Sequence, residues 1–113
     1  MNFDEYQRLA ETTAGGFDEK DRMKWTLVSA LGLCGEAGEV GDYLKKVYGH
    51  GHKLDLDVLE KELGDCLWYL SDLCTKFNLK LSDVAEINVE KLKKRYPSGF
   101  NPVHSQNRKP EDL

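Results

Sequence analysis

Four acidic side chains form two pairs with the same spacing. Glu36 is followed three residues later by Glu39, and Glu62 is followed three residues later by Asp65. In an α-helix, residues three apart lie on one face with their Cβ atoms about 5–6 Å apart. Each pair therefore presents its carboxylates to one spot, and two such helices packed side by side would bring four carboxylates together.

Clustered carboxylates require a neutralising partner. Like charges a few ångströms apart repel strongly and take up protons unless a cation compensates them. An all-oxygen ligand set favours Mg²⁺, with Mn²⁺ as the alternative, over Zn²⁺, which prefers histidine and cysteine. Ferritin-like di-iron sites use Glu-x-x-His, and no such pair occurs here. We therefore predict that Glu36, Glu39, Glu62 and Asp65 are metal ligands.

The alternative interpretation is that these acids form a solvated helix face. A local repeat weighs against it: Glu39-Val-Gly-Asp-Tyr-Leu parallels Glu62-Leu-Gly-Asp-Cys-Leu. Two related helical surfaces are thus expected to face each other. Glycines at positions 32, 35, 38 and 41, inside a predicted helix, each cost about 1 kcal/mol relative to alanine. Close approach of another helix or of a ligand would offset this cost.

The hydrophobic pattern that must position these acids is helical. We predict helices over about 2–13 and 21–48, a third starting at Asp57 as its cap, and a fourth following Ser82 as its cap and reaching Tyr96. The third has an apolar series that keeps helical spacing and is expected to be buried: Leu59, Leu63, Cys66, Leu67, Leu70, Cys74 and Phe77. No run alternates with period two, so the predicted fold class is an all-α, four-helix bundle.

Length and charge limit the function classes. A chain of 113 residues makes one domain, with a helical unit at 1–97 and a C-terminal tail at 98–113 that can cover the site. The net charge of −4 argues against a nucleic acid polymer as partner. No uncharged stretch approaches the ~20 residues that cross a membrane, so we expect a cytoplasmic protein without membrane contact. The three cysteines are interpreted as small core residues of a reducing compartment.

The two acidic motifs and their flanks resemble the MazG-like, all-α nucleoside triphosphate pyrophosphohydrolases, whose signature is ExxE followed by ExxD. The resemblance includes Gly-Leu-Cys-Gly-Glu-Ala-Gly-Glu-Val at 32–40, Lys-Glu-Leu-Gly-Asp-Cys-Leu-Trp-Tyr-Leu at 61–70, and Asn88-x-x-Lys91-x-x-x-Arg95-Tyr-Pro-x-Gly-Phe. It implies Mg²⁺-dependent cleavage of a nucleoside triphosphate to the monophosphate and pyrophosphate. It also implies a homodimer or homotetramer. Many relatives carry a second acid directly before the first motif, where this chain has Gly35.

Roles in catalysis follow from charge and spacing. Glu36 or Glu39 is the candidate for orienting or deprotonating the attacking water. Asn88, Lys91 and Arg95 follow i, i+3, i+7 spacing and are predicted to bind phosphates from a polar face opposite Ala85, Val89 and Leu92; a solvated basic face is the alternative. Lys45 and Lys46 are further phosphate-binding candidates, although cations also suit a helix C-terminus.

Base recognition requires an aromatic slot. Trp68, Tyr69 and Trp25 are candidates for stacking, although each also suits a core position. His50 and His52 are interpreted as parts of a mobile turn rather than as metal ligands. Two further functions remain open: a specialised dUTP, dCTP or phosphoribosyl-ATP pyrophosphatase, and a non-catalytic helical oligomerisation module.

Overall fold

The computed structural model describes residues 1–16 and 18–110, and within these ranges no β-strand is present. The described residues form five α-helices and one 3₁₀ turn: α1 (Phe3–Glu11), the 3₁₀ turn (Glu19–Asp21), α2 (Arg22–His50), α3 (Leu56–Lys76), α4 (Leu81–Arg95) and α5 (Pro102–Gln106). The all-α prediction is confirmed. The helix pair α2 and α3 forms the centre of the molecule, and α1 and α4 pack against α3.

Two helix starts differ from the prediction. The side chain of Asp55, and not that of Asp57, caps α3: its carboxylate accepts a hydrogen bond from the Asp57 backbone N–H at 3.0 Å. Helix α4 begins one residue before Ser82. The side-chain oxygen of Gln7 on α1 accepts a hydrogen bond from the Leu81 backbone N–H at 2.9 Å and so caps the helix. A side chain distant in sequence thus replaces the local cap.

The apolar series of α3 is only partly buried. Leu63, Leu70 and Phe77 are 51%, 42% and 50% exposed. The prediction that they are buried is therefore wrong within a single copy of the chain. They share a face because they recur every seven residues. At its end, the Arg22 guanidinium of α2 lies 5.5 Å from the centroid of the Phe77 ring. The apolar residues that are buried are Ala10, Cys74 and Leu81, which is a small core for a chain of this length.

The cysteines and the tail also depart from expectation. Cys74 is buried, whereas Cys66 is half-buried and Cys34 is exposed, so only one of the three thiols fills the core as predicted. The segment after Pro97 is not wholly irregular, since Asn101 caps α5 through hydrogen bonds to two backbone N–H groups. Residues 111–113 of the predicted tail lie outside the described residues. No described helix combines the length and apolar character needed to span a membrane.

Candidate functional site

The acidic residues lie along the seam between α2 and α3. Four contacts mark this seam: Trp25 with Lys76, Ser29 with Asp72, Gly32 with Tyr69, and Glu36 with Asp65. Each step forward along α2 is matched by an equal step backward along α3, so the two helices are antiparallel and in constant register. The register places the two acidic motifs opposite each other.

Three of the four predicted ligands come together near the middle of this seam, which continues to a contact of the Tyr43 hydroxyl with the Asp55 backbone. Glu36, Glu62 and Asp65 each offer one carboxylate oxygen, and these oxygens all lie within 4.8 Å of one another. Glu36 and Glu62 are half-buried, and Asp65 is exposed. Such a set of oxygen donors, open on one side to solvent, suits a hard divalent cation that keeps part of its water shell.

The electrostatics of the cluster disfavour charge on Glu36. Desolvation raises the pKa of Glu36 most, and the carboxylates of Asp65, Glu62 and Glu39 raise it further. The pKa of Tyr6 on α1 is also raised, mainly by burial and further by the negative charge of Asp65. The site therefore concentrates negative charge that a bound cation would relieve.

Glu39 lies outside the group of three carboxylates. It is exposed, and its charge influences Glu36 and Lys46. One turn further along α2, Lys46 pairs with Asp42 at 3.0 Å and Lys45 pairs with the same carboxylate at 2.8 Å. These two lysines lower the Asp42 pKa from 3.8 to about 2. Lys46 is therefore already paired, while the roles of Glu39 and Lys46 towards ligands stay predictions.

Two of the three aromatic candidates lie on α3 next to the cluster, and the third lies on α2. The indole N–H of Trp68 donates to the Thr13 hydroxyl at 2.8 Å, and its ring meets Tyr69 edge-on with centroids 5.0 Å apart. Tyr69 lies against Gly32 on α2. Trp25 lies at the far end of the seam, where its carbonyl accepts from Lys76 at 2.9 Å. Of the three, Trp68 and Tyr69 lie within about one helical turn of Asp65.

Helix α4 is oriented differently from the prediction. Arg95 is only 8% exposed, whereas Val89 and Leu92 are 49% and 40% exposed. The expected division into a polar face with Arg95 and a buried apolar face is thus wrong, because α4 packs on α1 and α3 through other positions. Asn88 is exposed and Lys91 is half-buried, and their phosphate-binding role stays a prediction. His50, the last residue of α2, and His52 are both exposed.

The sequence profile described as the MazG nucleotide pyrophosphohydrolase domain matches residues 26–100. The chain belongs to this family. The MazG match covers all of α3 and α4 and most of α2, and it contains the cluster Glu36, Glu62 and Asp65. Over 114 aligned residues, 33% are identical to the Gene 37 protein of Mycobacterium phage L5, covering 96% of this chain and 100% of that protein. No solved structure shows a significant match.

Two features of this MazG-family chain were not found from sequence. One is the electrostatic effect of Asp65 on Tyr6, a residue outside the matched range on α1, which packs against α3. The other is a buried polar group formed by Ser29, Asp72 and Lys76. The sequence feature that could have indicated this group is the pair Asp72 and Lys76, an acid and a base four residues apart within the apolar stretch of α3.

Proposed function

We propose that this chain is a divalent-metal-dependent nucleoside triphosphate pyrophosphohydrolase that converts a (deoxy)nucleoside triphosphate to the monophosphate and pyrophosphate. The observation that carries the proposal is the convergence of Glu36, Glu62 and Asp65, with one oxygen each within 4.8 Å. Membership of the MazG nucleotide pyrophosphohydrolase family supports the same reaction.

The donor set fits Mg²⁺, with Mn²⁺ as a substitute. Glu36, Glu62 and Asp65 would hold the ion, and we retain Glu39 as a proposed fourth ligand that must turn towards the cluster. When bound, the ion supplies positive charge to the phosphate oxygens and makes coordinated water more acidic. No nitrogen or sulfur ligand lies in this group of three, which agrees with the choice of a hard cation.

The chain's own contribution to the chemistry is proton transfer and positioning. Water attacks the α-phosphorus, a new P–O bond forms, the bond to the bridging oxygen breaks, and pyrophosphate leaves. The proton of the water passes to a carboxylate. Glu36 is one candidate for this role, because it is half-buried within the carboxylate cluster that would hold the ion. Glu39 is the second candidate for this base. Many relatives have a further acid directly before the first motif, and this chain has Gly35 there, so the base must come from another position.

Substrate binding is assigned to polar and charged residues of α4 and α2 and to an aromatic ring of α3. Asn88, Lys91 and Arg95 are proposed to bind the outer phosphates, and Lys46 would contribute once it exchanges Asp42 for a phosphate. Arg95 lines a cavity of about 120 Å³ together with Lys94 and Lys109, which is a basic environment suited to phosphate oxygens. Trp68 is proposed to stack on the base, next to the carboxylates and held by Thr13.

A second copy of the chain is proposed to complete the fold as a homodimer or homotetramer. The chain exposes 8430 Å², whereas a compact monomer of this mass exposes about 6,300 Å². Its radius of gyration is 17.2 Å, against about 13 Å for a compact domain of this length. The excess area is of the size that obligate interfaces bury. The exposed stripe on α3, formed by Leu56, Leu63, Leu70 and Phe77 at its C-terminal end, is apolar as such interfaces are.

The test is pyrophosphate release from a panel of nucleoside triphosphates with and without Mg²⁺. We expect metal-dependent release by the wild type and a loss of at least about a hundredfold in Asp65→Asn, with a smaller loss in Glu39→Gln. Glu60→Gln, an exposed glutamate on the same helix, is the matched control and should retain activity. Activity on dUTP, dCTP or phosphoribosyl-ATP alone would identify a specialised pyrophosphatase. No activity on any nucleotide would favour an oligomerisation module.

A further inference from the structure

A buried polar group lies two helical turns from the carboxylate cluster on the same seam. Ser29 is 1% exposed and Asp72 is 8% exposed, and the Ser29 hydroxyl donates to the Asp72 carboxylate. The Lys76 ammonium lies over the pair. It donates to Asp72 at 2.7 Å, to the Trp25 carbonyl at 2.9 Å and to the Ser29 hydroxyl. All three donors of the lysine are therefore used.

Such a group tolerates little sliding between the helices. If α2 moved by one turn relative to α3, the Asp72 carboxylate would lose Ser29 and remain buried without that partner, and Lys76 would lose two acceptors. Apolar contacts would change little with the same movement, because they are not directional. Buried polar contacts of this kind are known to set helix register.

The register that this group favours is the one that the metal cluster needs. Along α2, Gly32 follows Ser29 by three residues and Glu36 follows Gly32 by four. Backwards along α3, Tyr69 precedes Asp72 by three residues and Asp65 precedes Tyr69 by four. These steps pair Ser29 with Asp72 and Glu36 with Asp65 on one continuous seam. A slip at the Ser29–Asp72 pair would therefore also separate the carboxylates of Glu36 and Asp65.

We propose that Ser29, Asp72 and Lys76 are positioning residues that set the register of α2 against α3 and thereby hold Glu36 beside Glu62 and Asp65. This inference rests on the proposed metal site. The three residues lie two helical turns from the carboxylate cluster and are proposed to make no direct contact with the metal. Their effect is transmitted by two helices of regular geometry.

The first experiment measures Mn²⁺ affinity by titration calorimetry and thermal stability in parallel. In Ser29→Ala/Asp72→Leu/Lys76→Met, apolar residues of similar size replace the polar group, a change that often leaves stability unchanged or higher. We expect a folded protein of at least wild-type stability whose Mn²⁺ affinity is about tenfold weaker, as for other residues that orient metal ligands. A folded triple variant with wild-type affinity would overturn the proposal.

A matched pair of single variants covers the case in which the triple variant does not fold. Ser71 is as buried as Ser29, at 0% exposure, and its hydroxyl has no hydrogen-bond partner among the described residues. We expect Ser29→Ala to weaken Mn²⁺ binding and Ser71→Ala to leave it unchanged. Equal affinities in the two alanine variants would contradict a positioning role.

The register can also be measured without any metal. Spin labels are attached at Lys24→Cys on α2 and Lys61→Cys on α3, in a background in which serine replaces Cys34 and Cys66. The two labels lie towards opposite ends of the seam, so sliding of one helix along the other changes the distance between them. With labelled protein diluted in unlabelled protein, we expect a narrow distance distribution that broadens in the triple variant, or in Ser29→Ala if the triple variant does not fold. An unchanged width would overturn the inference. If the wild type binds no Mn²⁺ but the variant still broadens the distance distribution, only the proposed metal function is overturned.

Discussion

Gly32 of α2 lies directly against the aromatic ring of Tyr69 on α3. A Cβ atom added at Gly32 would overlap three carbons of that ring, whereas one added at Gly35, Gly38 or Gly41 would meet nothing within 4 Å. Only the first of the four regularly spaced glycines is therefore required by packing within the chain. This contact sets how closely the two helices approach between the polar group and the carboxylate cluster.

Replacing Gly32 with alanine should destabilise the protein by about 1–3 kcal/mol, because the Tyr69 ring must leave its position. Gly38→Ala is the matched control, since it introduces the same methyl group on the same helix. It should stabilise the helix by up to about 1 kcal/mol through helix propensity. Urea unfolding of both variants measures the difference, and equal shifts would show that the Tyr69 contact does not constrain position 32.

Glu36→Gln should stabilise the metal-free protein at neutral pH. The folded-state pKa of Glu36 is raised above its ordinary 4.5 by desolvation and neighbouring carboxylates, so the folded protein retains a proton that the unfolded chain has lost. Wild-type stability therefore falls as the pH rises from the unfolded pKa through the folded one. The advantage of the variant should be present at pH 7 and absent below pH 4.5.

Thermal unfolding of both proteins in EDTA at several pH values tests this expectation. Added Mg²⁺ should reverse the order at pH 7, because a ligand that binds only the folded state stabilises it, by about 2.7 kcal/mol at one hundred times the dissociation constant. Equal responses of wild type and Glu36→Gln to Mg²⁺ would argue against Glu36 as a ligand.

Asp42 should titrate far below an ordinary aspartate. Hydrogen bonds from Lys45 and Lys46 lower its pKa from 3.8 to about 2, so these ion pairs contribute stability above pH 3.8 that is lost as the pH falls towards 2. Carboxyl NMR titration should show this value in the wild type and its return towards 3.8 in Lys45→Met/Lys46→Met. Lys53→Met, which removes an exposed lysine that does not lower the Asp42 pKa, should leave the titration unchanged.

The sequence was sufficient to predict the helices and the approach of the two acidic motifs. The spacing of apolar residues identifies each element as a helix. Glu62 and Asp65 share a face of one helix, so packing that helix against its neighbour is enough to bring them close to Glu36. The same reasoning missed the caps at Asp55 and Gln7. A cap supplied across the fold leaves no local pattern, and two nearby aspartates are equally good caps by residue type.

Burial was predicted less well than helicity. Apolar spacing marks a face that needs cover but does not say whether the same chain supplies it, as the exposed Leu63 and Leu70 demonstrate. Arg95 shows the converse: a charged residue assigned to an exposed face is buried, because long side chains can be covered along their aliphatic stems. Both errors arise from packing partners that periodicity does not identify.

The exposed apolar stripe on α3 should be an interface between copies of the chain. Its members recur every seven residues, with exposures of 61%, 51%, 42% and 50%: Leu56, Leu63, Leu70 and Phe77. Leu70→Glu should therefore shift the protein to monomers in light scattering, since a buried charge without a partner is strongly unfavourable at an interface. Ile87→Glu, at an apolar position of α4 that is 64% exposed, should retain the wild-type mass.

Monomers of Leu70→Glu also separate assembly from metal binding. Glu36, Glu62 and Asp65 all belong to one chain, so a folded monomer should bind Mn²⁺ as the wild type does. Pyrophosphate release should fall if, as proposed, a second copy covers the helices that carry the site. A wild type that is monomeric at micromolar concentration, or a Leu70→Glu variant of wild-type mass, would contradict this interface, because either result leaves the α3 stripe exposed in the working protein.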